Sequence, residues 1–146
     1  MHIRHALRQY RDPGECIGNP ITENLKIGTL GELLVQLRLL EHGVQAAPPI
    51  KDSGNDLIAV CGETFRGIQV KTTAGQRVTG RRLPKHYHIL ALVHLIATDT
   101  DLLLDRSRIF LLPREAVDRT KGRVPPDFEQ YELNAPHVAA LFNRRS

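Results

Sequence analysis

The stretch "DLIAVCGETFRGIQVKTT", residues 56–73, predicts two β-strands joined by a tight turn. Its first part, "DLIAVC", is rich in the apolar and β-branched residues that favour strands, and "TFRGIQVKTT" follows after only two residues. Those two residues, Gly62 and Glu63, suit a two-residue hairpin turn. The stretch therefore predicts an antiparallel hairpin.

The second strand of this hairpin alternates strictly between apolar and polar side chains. Ile68 and Val70 point to one face, whereas Gln69 and Lys71 point to the other, because residues i and i+2 share a face of a strand. A lysine is seldom fully buried without a partner. An amide and an amine on one face of a strand that otherwise resembles core raise the question of a chemical role, although a lysine that reaches water near a strand end and a solvated glutamine on an open sheet face also explain them.

The expected hairpin register brings a third polar side chain to this face. If the two-residue turn forms, Cys61 pairs with Thr64, and the same register places Asp56 opposite Gln69. Directly opposed residues share a face of the sheet. We therefore expect Asp56, Gln69 and Lys71 to converge at one end of the sheet.

A long helix is predicted before the hairpin, over residues 23–42. Thr22 is a good N-cap for this helix, and Gly43 is placed to end it. Glu32 has leucines around it, so it is expected to face inward or to lie at the helix edge. The apolar positions recur at close to helical spacing and include Leu25, Ile27, Leu30, Leu33, Leu34, Leu37 and Leu40.

Two glycines lie inside this helix. Gly28 and Gly31 each cost about 1 kcal/mol relative to alanine. Close packing of the helix on the sheet would compensate for this cost, and so would close approach of the backbone to a ligand beside Glu32. The sequence leaves both explanations open.

The remaining pattern predicts one strand before the hairpin and two strands after it. Helices and strands in this order favour an α/β fold with a mixed central sheet flanked by helices. No glycine-rich phosphate fingerprint follows a strand, which argues against a dinucleotide-binding fold. The further strands are expected at residues 44–49, 87–97 and 108–113, and the further helices at residues 114–120 and 135–145.

Composition is typical of a single cytoplasmic domain. The chain has 146 residues, of which 41% are hydrophobic, and this length suffices for a sizeable core. Its net charge of +4 favours an anionic partner, although solubility alone also explains such a charge. Two cysteines form neither a disulfide framework nor a paired-cysteine zinc motif. No apolar run reaches the ~20 residues of a membrane span.

The polar groups at this end of the sheet suit a hard divalent cation. Mg²⁺ takes oxygen ligands and is commonly held by one or two carboxylates together with substrate phosphates. Asp56 and Glu32 would supply the charge, and the side-chain carbonyl of Gln69 would be a neutral ligand. Lys71 would orient or help deprotonate an attacking water and would offset charge on the phosphate. Mn²⁺ would serve as a substitute for Mg²⁺.

The segments "GNDLIAV" and "GIQVKTT" resemble the motif of the PD-(D/E)xK nuclease superfamily. In that family, an Asp begins one strand, (Asp/Glu/Gln)-x-Lys lies on the next, and a Glu often lies on the preceding helix. The resemblance is closest to two branches, the intron-encoded homing endonucleases and the archaeal-type Holliday junction resolvases, and a Gln in the motif is more like the former. The matching residues here are Asp56, Gln69, Lys71 and Glu32.

This resemblance covers roughly residues 22–115 and implies a restriction-endonuclease-like core within a single nuclease-like domain, residues 1–146. It implies a metal-dependent DNA endonuclease that hydrolyses phosphodiester bonds through a Mg²⁺-activated water. Two residues depart from the motif, since Asn55 stands where the family name has Pro, and Gln69 replaces an acid. The second departure keeps open a catalytically inactive nuclease-fold module that binds DNA or supports assembly. A nuclease directed at RNA is a weaker third interpretation.

A basic stretch follows the proposed site and suits contact with a phosphate backbone. A solvated basic loop explains the same residues equally well. Cutting both strands of a duplex favours a homo-oligomer for a chain of this size, although no heptad or apolar patch in the sequence indicates the interface. The residues expected to bind nucleic acid are Arg77, Arg81, Arg82 and Lys85.

Overall fold

The computed structural model describes residues 22–51, 54–74 and 83–143. Within these ranges the chain forms three helices, five strands and two short 3-10 segments. The helices are α1 (Glu23–Glu41), α2 (Arg114–Arg119) and α3 (Ala135–Leu141); the strands are β1 (Gln45–Ala47), β2 (Leu57–Cys61), β3 (Thr64–Thr73), β4 (Ile89–His94) and β5 (Arg108–Pro113); the 3-10 segments are Leu104–Arg106 and Phe128–Tyr131.

Both predicted ends of α1 are confirmed. The Thr22 side chain accepts a hydrogen bond from the Leu25 N–H at 3.3 Å, which satisfies one of the free donors of the first turn. Gly43 has a φ of 74°, a left-handed conformation that glycine adopts without steric cost. The predicted helix therefore begins after the N-cap Thr22 and ends before Gly43, as local capping interactions favour.

The five strands form one mixed sheet in the order β1-β2-β3-β4-β5. Only the β3–β4 pair is parallel among these strands. In the β2–β3 hairpin, Cys61 pairs with Thr64 and Leu57 pairs with Ile68, which confirms the predicted register. Gly62 in the turn has a φ of 58°, as a tight two-residue hairpin requires.

Each face of the sheet packs against helices. The face that carries Ile68 and Val70 is covered by α1 and α3, and the face that carries Leu90 and Leu92 is covered by α2 and the segment around Phe128. The predicted α/β fold, a mixed central sheet flanked by helices, is therefore confirmed. No helix among the described residues combines the length and the apolar character that crossing a membrane requires.

Helix α1 approaches β3 closely at Gly31. A Cβ added to Gly31 would lie 1.8 Å from Thr72 Oγ1 and within 2.9 Å of the two carbons of that side chain. Close packing on the sheet therefore explains this glycine. A Cβ added to Gly28 would meet nothing within 4 Å among the described residues outside its own helix, so packing does not explain that one.

Candidate active site

Asp56 is the residue immediately before β2, and it lies beside the edge of β3. Its backbone N–H donates to Ile68 O at 3.0 Å, and its Oδ2 accepts a hydrogen bond from the Val70 N–H at 2.7 Å. The carboxylate thus takes the place that a neighbouring strand would occupy beside Val70. The hydrogen bond from the Val70 N–H fixes the position of the carboxylate. It also pairs a donor of β3 that lies beyond the reach of β2.

Gln69 joins Asp56 directly. Its Nε2 donates a hydrogen bond to Asp56 Oδ2, and the residue is only 7% exposed. The predicted placement of Asp56 opposite Gln69 is therefore confirmed. In this orientation the amide nitrogen faces the carboxylate, and Oε1 is the atom that the amide would offer to a cation.

Lys71 lies on the same face of β3 as Gln69. The parallel ladder pairs Gln69 with Leu90 and Lys71 with Leu92, and both leucines belong to the core on the side of α2. Lys71 is partly exposed. At this edge Asp56 bonds to Ile68, Gln69 and Val70, and Lys71 lies one residue beyond Val70 on β3.

Glu32 approaches from the helix that covers the opposite face. It follows Gly31, the residue that packs against Thr72 of β3, and its side chain is half-buried. Burial raises the pKa of the Glu32 carboxyl above its ordinary value of 4.5, and repulsion from the Asp56 carboxylate raises this pKa further. The Gln36 amide donates to the Glu32 backbone oxygen at 3.3 Å rather than to its carboxylate.

The predicted residues thus come from both faces of the sheet. Gln69 and Lys71 project on the side of α2, while α1 carries Glu32 on the other side. Asp56 lies between them at the edge of β3, where β2 no longer pairs with that strand. The Asp56 carboxylate contributes to the raised pKa of Glu32, in agreement with the placement of both residues beside this edge.

Replacing Glu32 by glutamine is expected to stabilise the protein at neutral pH. The folded pKa lies above 4.5, so the Glu32 carboxylate is less favourable in the folded chain than in the unfolded one. Glu32→Gln removes this cost, and the urea midpoint should rise relative to wild type. The difference should shrink as the pH falls through the raised folded pKa and should vanish well below 4.5, where both states of the wild type are protonated.

Urea unfolding across this pH range checks the expectation. Glu63, an exposed residue of the hairpin turn, supplies the matched control Glu63→Gln, which should change the midpoint far less than Glu32→Gln does. A Glu32→Gln variant that is less stable than wild type at neutral pH would contradict the assignment of a repelled, partly buried carboxylate.

The donor set at this edge fits a hard cation better than zinc. The described parts of the chain contain no group of three or more His, Cys, Asp or Glu side chains that could hold a metal by themselves. Glu32, Asp56 and Gln69 instead offer two carboxylates and one amide, all oxygen donors. Such an incomplete oxygen set suits Mg²⁺, which commonly retains waters and takes further ligands from substrate phosphates.

Only one of the four predicted nucleic-acid-binding residues can be placed. Lys85 is exposed, whereas Arg77, Arg81 and Arg82 lie outside the described residues. A Cβ added to Gly54 would lie 3.5 Å from Pro84 Cβ, so the segment that carries Lys85 adjoins the loop leading into Asp56. Lys85 therefore lies on a segment next to the candidate site.

Two residues that support the site were not identified from the sequence. A Cβ at Gly67 would lie 2.8 Å from Asn55 Oδ1, so the amide next to Asp56 packs directly on the strand backbone. His88 Nδ1 accepts the Gly67 N–H at 2.9 Å and holds the start of β4 against the same point. A glycine inside a strand often marks close approach of another group to the backbone. Gly67 was therefore the sequence feature that could have indicated these two contacts.

No family model matches the chain, and no curated protein matches it. Among solved structures, a bacterial homing endonuclease, I-Ssp6803I, has a similar fold, with a TM-score of 0.56 and 15% sequence identity. The match covers 82% of this chain and 91% of that chain. At this identity the likeness concerns the fold alone, and it confirms the predicted restriction-endonuclease-like core.

Proposed function

We propose that this protein is a metal-dependent DNA endonuclease of the PD-(D/E)xK type that hydrolyses phosphodiester bonds. The observation that carries this proposal is the hydrogen bond from the Gln69 amide to Asp56 at the edge of β3, with Lys71 two residues further along the same face of the strand. The likeness of the fold to a homing endonuclease supports DNA as the substrate.

Asp56, Glu32 and Gln69 would hold Mg²⁺, or Mn²⁺ in its place. When bound, the cation supplies Lewis acidity and an activated water as nucleophile. The chain prepares this site by fixing Asp56 in advance with two hydrogen bonds, from Val70 and Gln69, so that little reorganisation is needed. Burial of Glu32 beside a like charge leaves negative charge that a cation would offset.

Lys71 is proposed to act on the substrate itself. Its ammonium would bind the scissile phosphate, orient the attacking water and stabilise negative charge that develops on the phosphate oxygens. The strand places it on the same face as Gln69, so both side chains can reach one phosphate. Flanking phosphates would be contacted by Lys85 and by the arginines of the basic stretch, Arg77, Arg81 and Arg82.

A catalytically inactive DNA-binding module is the second candidate, and one observation favours it. Gln69 replaces a charged ligand, is 7% exposed, and already uses its amide nitrogen to bind Asp56. The site then has one negative charge fewer, which weakens its hold on a divalent cation. A fold that binds DNA without cutting it would tolerate this change.

Metal-dependent cleavage distinguishes the two candidates. The full chain would be incubated with plasmid and with branched DNA in EDTA, Mg²⁺ or Mn²⁺. Cleavage is expected only with metal and should be lost in Asp56→Asn, because the amide removes a charge from the proposed ligand set. Asp99, which is exposed, supplies the control Asp99→Asn, which should cleave normally.

Two other outcomes would correct the proposal. Retention of DNA on a gel without cleavage in any metal would favour the inactive module. Metal-dependent cleavage that survives in Asp56→Asn would show that the ligands lie elsewhere in the chain.

A further inference from the structure

Helix α1 is apolar on its outward side as well as on its buried side. The positions that pack on the sheet include Ile27, Leu34, Val35 and Leu39. Four other leucines, here called the outer stripe, are between 48% and 63% exposed: Leu25, Leu33, Leu37 and Leu40. A helix that is apolar on both sides is normally covered on both sides.

Three members of the outer stripe form a continuous ridge. Leu33, Leu37 and Leu40 follow the spacing i, i+4 and i+7, which aligns them along one side of a helix. With 19 residues, α1 is about 28 Å long at 1.5 Å per residue, so the ridge lies on a rod long enough to pair with another helix.

The charges that bound the ridge are self-complementary. Lys26 lies seven residues before Leu33, and Glu41 lies four residues after Leu37, so both are on the side of the outer stripe. Lys26 and Glu41 are also equidistant from the midpoint between Leu33 and Leu34. An antiparallel copy of α1, related by a two-fold axis at that midpoint, would place its Glu41 opposite Lys26 and its Lys26 opposite Glu41.

We infer that the outer stripe is the contact between two copies of this chain. The contact is isologous: the same leucines of both copies pack together, with two Lys26–Glu41 pairs at its ends. Glu41 already accepts two hydrogen bonds from Arg38 Nη1, at 3.1 and 3.0 Å, which orients its carboxylate at the end of the helix. Nucleic acid is a poor occupant, because phosphate binding needs several cations and, among the residues that the structure describes on α1, Lys26 alone lies beside the ridge.

The position of the axis also suits the reaction proposed above, and this step rests on that proposed function. Glu32 is the residue before Leu33, so a two-fold axis beside Leu33 places one candidate active site on each side of the dimer contact. Two sites related in this way can each act on one strand of a duplex, whose strands are themselves related by two-fold symmetry.

Sedimentation of the full chain without DNA or metal tests the contact independently of catalysis. Wild type is expected to be a dimer, and Leu37→Glu should raise its dissociation constant at least tenfold, by ~1.4 kcal/mol or more. Phe65, 61% exposed and outside α1, supplies the matched control Phe65→Glu, which should leave the dimer intact. Circular dichroism would verify that each variant is folded.

Charge reversal gives a second readout that needs no change in the apolar ridge. Lys26→Glu and Glu41→Lys should each weaken the dimer, and the double variant in one chain should recover it, because each pair joins different copies. A wild type that stays monomeric at all concentrations would overturn the inference, whether or not it cleaves DNA. If Leu37→Glu only lowers the stability of such a monomer, another part of the same chain covers the ridge.

Discussion

Replacing Lys71 by methionine is expected to reduce DNA cleavage by ~10²–10³-fold, the usual effect of removing one group that stabilises transition-state charge. Methionine keeps most of the aliphatic stem and removes only the ammonium. Lys71 is partly exposed near the end of β3, so the substitution should leave the fold unchanged. The measurement is the single-turnover cleavage rate with saturating protein and Mg²⁺.

DNA affinity measured in EDTA separates catalysis from binding in this variant. Lys71→Met should weaken DNA binding only as much as Lys85→Met does, since each variant loses one cation among several. Lys85→Met is the matched control: it should weaken binding and reduce its salt dependence, while cleavage of saturated complexes continues at the wild-type rate. Wild-type cleavage by Lys71→Met would remove the residue from the proposed site.

The same substitution at two glycines of α1 is expected to have opposite effects on stability. Gly31→Ala would place a methyl group 1.8 Å from Thr72 Oγ1, with the other two atoms of that side chain at 2.8 and 2.9 Å, so no rotation of Thr72 relieves the clash. Overpacking of this kind costs about 1–3 kcal/mol. This cost exceeds the gain of up to ~1 kcal/mol in helix propensity, so the variant should be destabilised.

Gly28→Ala is the internal control for that prediction. Nothing outside its own helix lies within 4 Å of the new methyl group among the described residues, so the free energy of unfolding should rise by about 0.5–1 kcal/mol. Urea unfolding of both variants measures the contrast. Equal effects of the two substitutions would show that α1 does not pack on Thr72 as described.

A double variant tests the contact itself. Gly31→Ala combined with Thr72→Ala should lose less stability than the two single changes summed, because the Thr72 hydroxyl is the nearest obstacle. Gly31→Ala should also reduce cleavage, since a displaced helix carries Glu32 away from Asp56. Full cleavage in a destabilised Gly31→Ala variant would argue against a role for Glu32.

The hairpin was predictable because its signals are local. Gly62 can adopt the positive φ of a two-residue turn, and the turn then sets every pair along the two strands. That register alone places Asp56 opposite Gln69. The contact between their side chains therefore follows from the sequence of residues 56–73 and elementary strand geometry.

The arrangement of the whole site was harder to predict from the sequence than the hairpin was. The sequence indicates that Glu32 lies on the covering helix, but which face of the sheet the helix covers depends on the packing of the entire core. In the structure α1 lies opposite Gln69 and Lys71, and Asp56 connects the two sides at an edge. The contact of the Asn55 side chain with Gly67 was also missed, because the sequence feature that accompanies such a contact is only the glycine itself.

Helix α1 shows most clearly what each level of organisation determines. Leucine spacing and the caps at Thr22 and Gly43 determine by themselves that a helix forms and where it ends, because these are interactions between residues a few positions apart. Which leucines are buried was decided only by the tertiary structure. A sheet covers one side of a helix, and spacing alone does not distinguish Leu34, which packs on the sheet, from Leu33 and Leu37, which face outward.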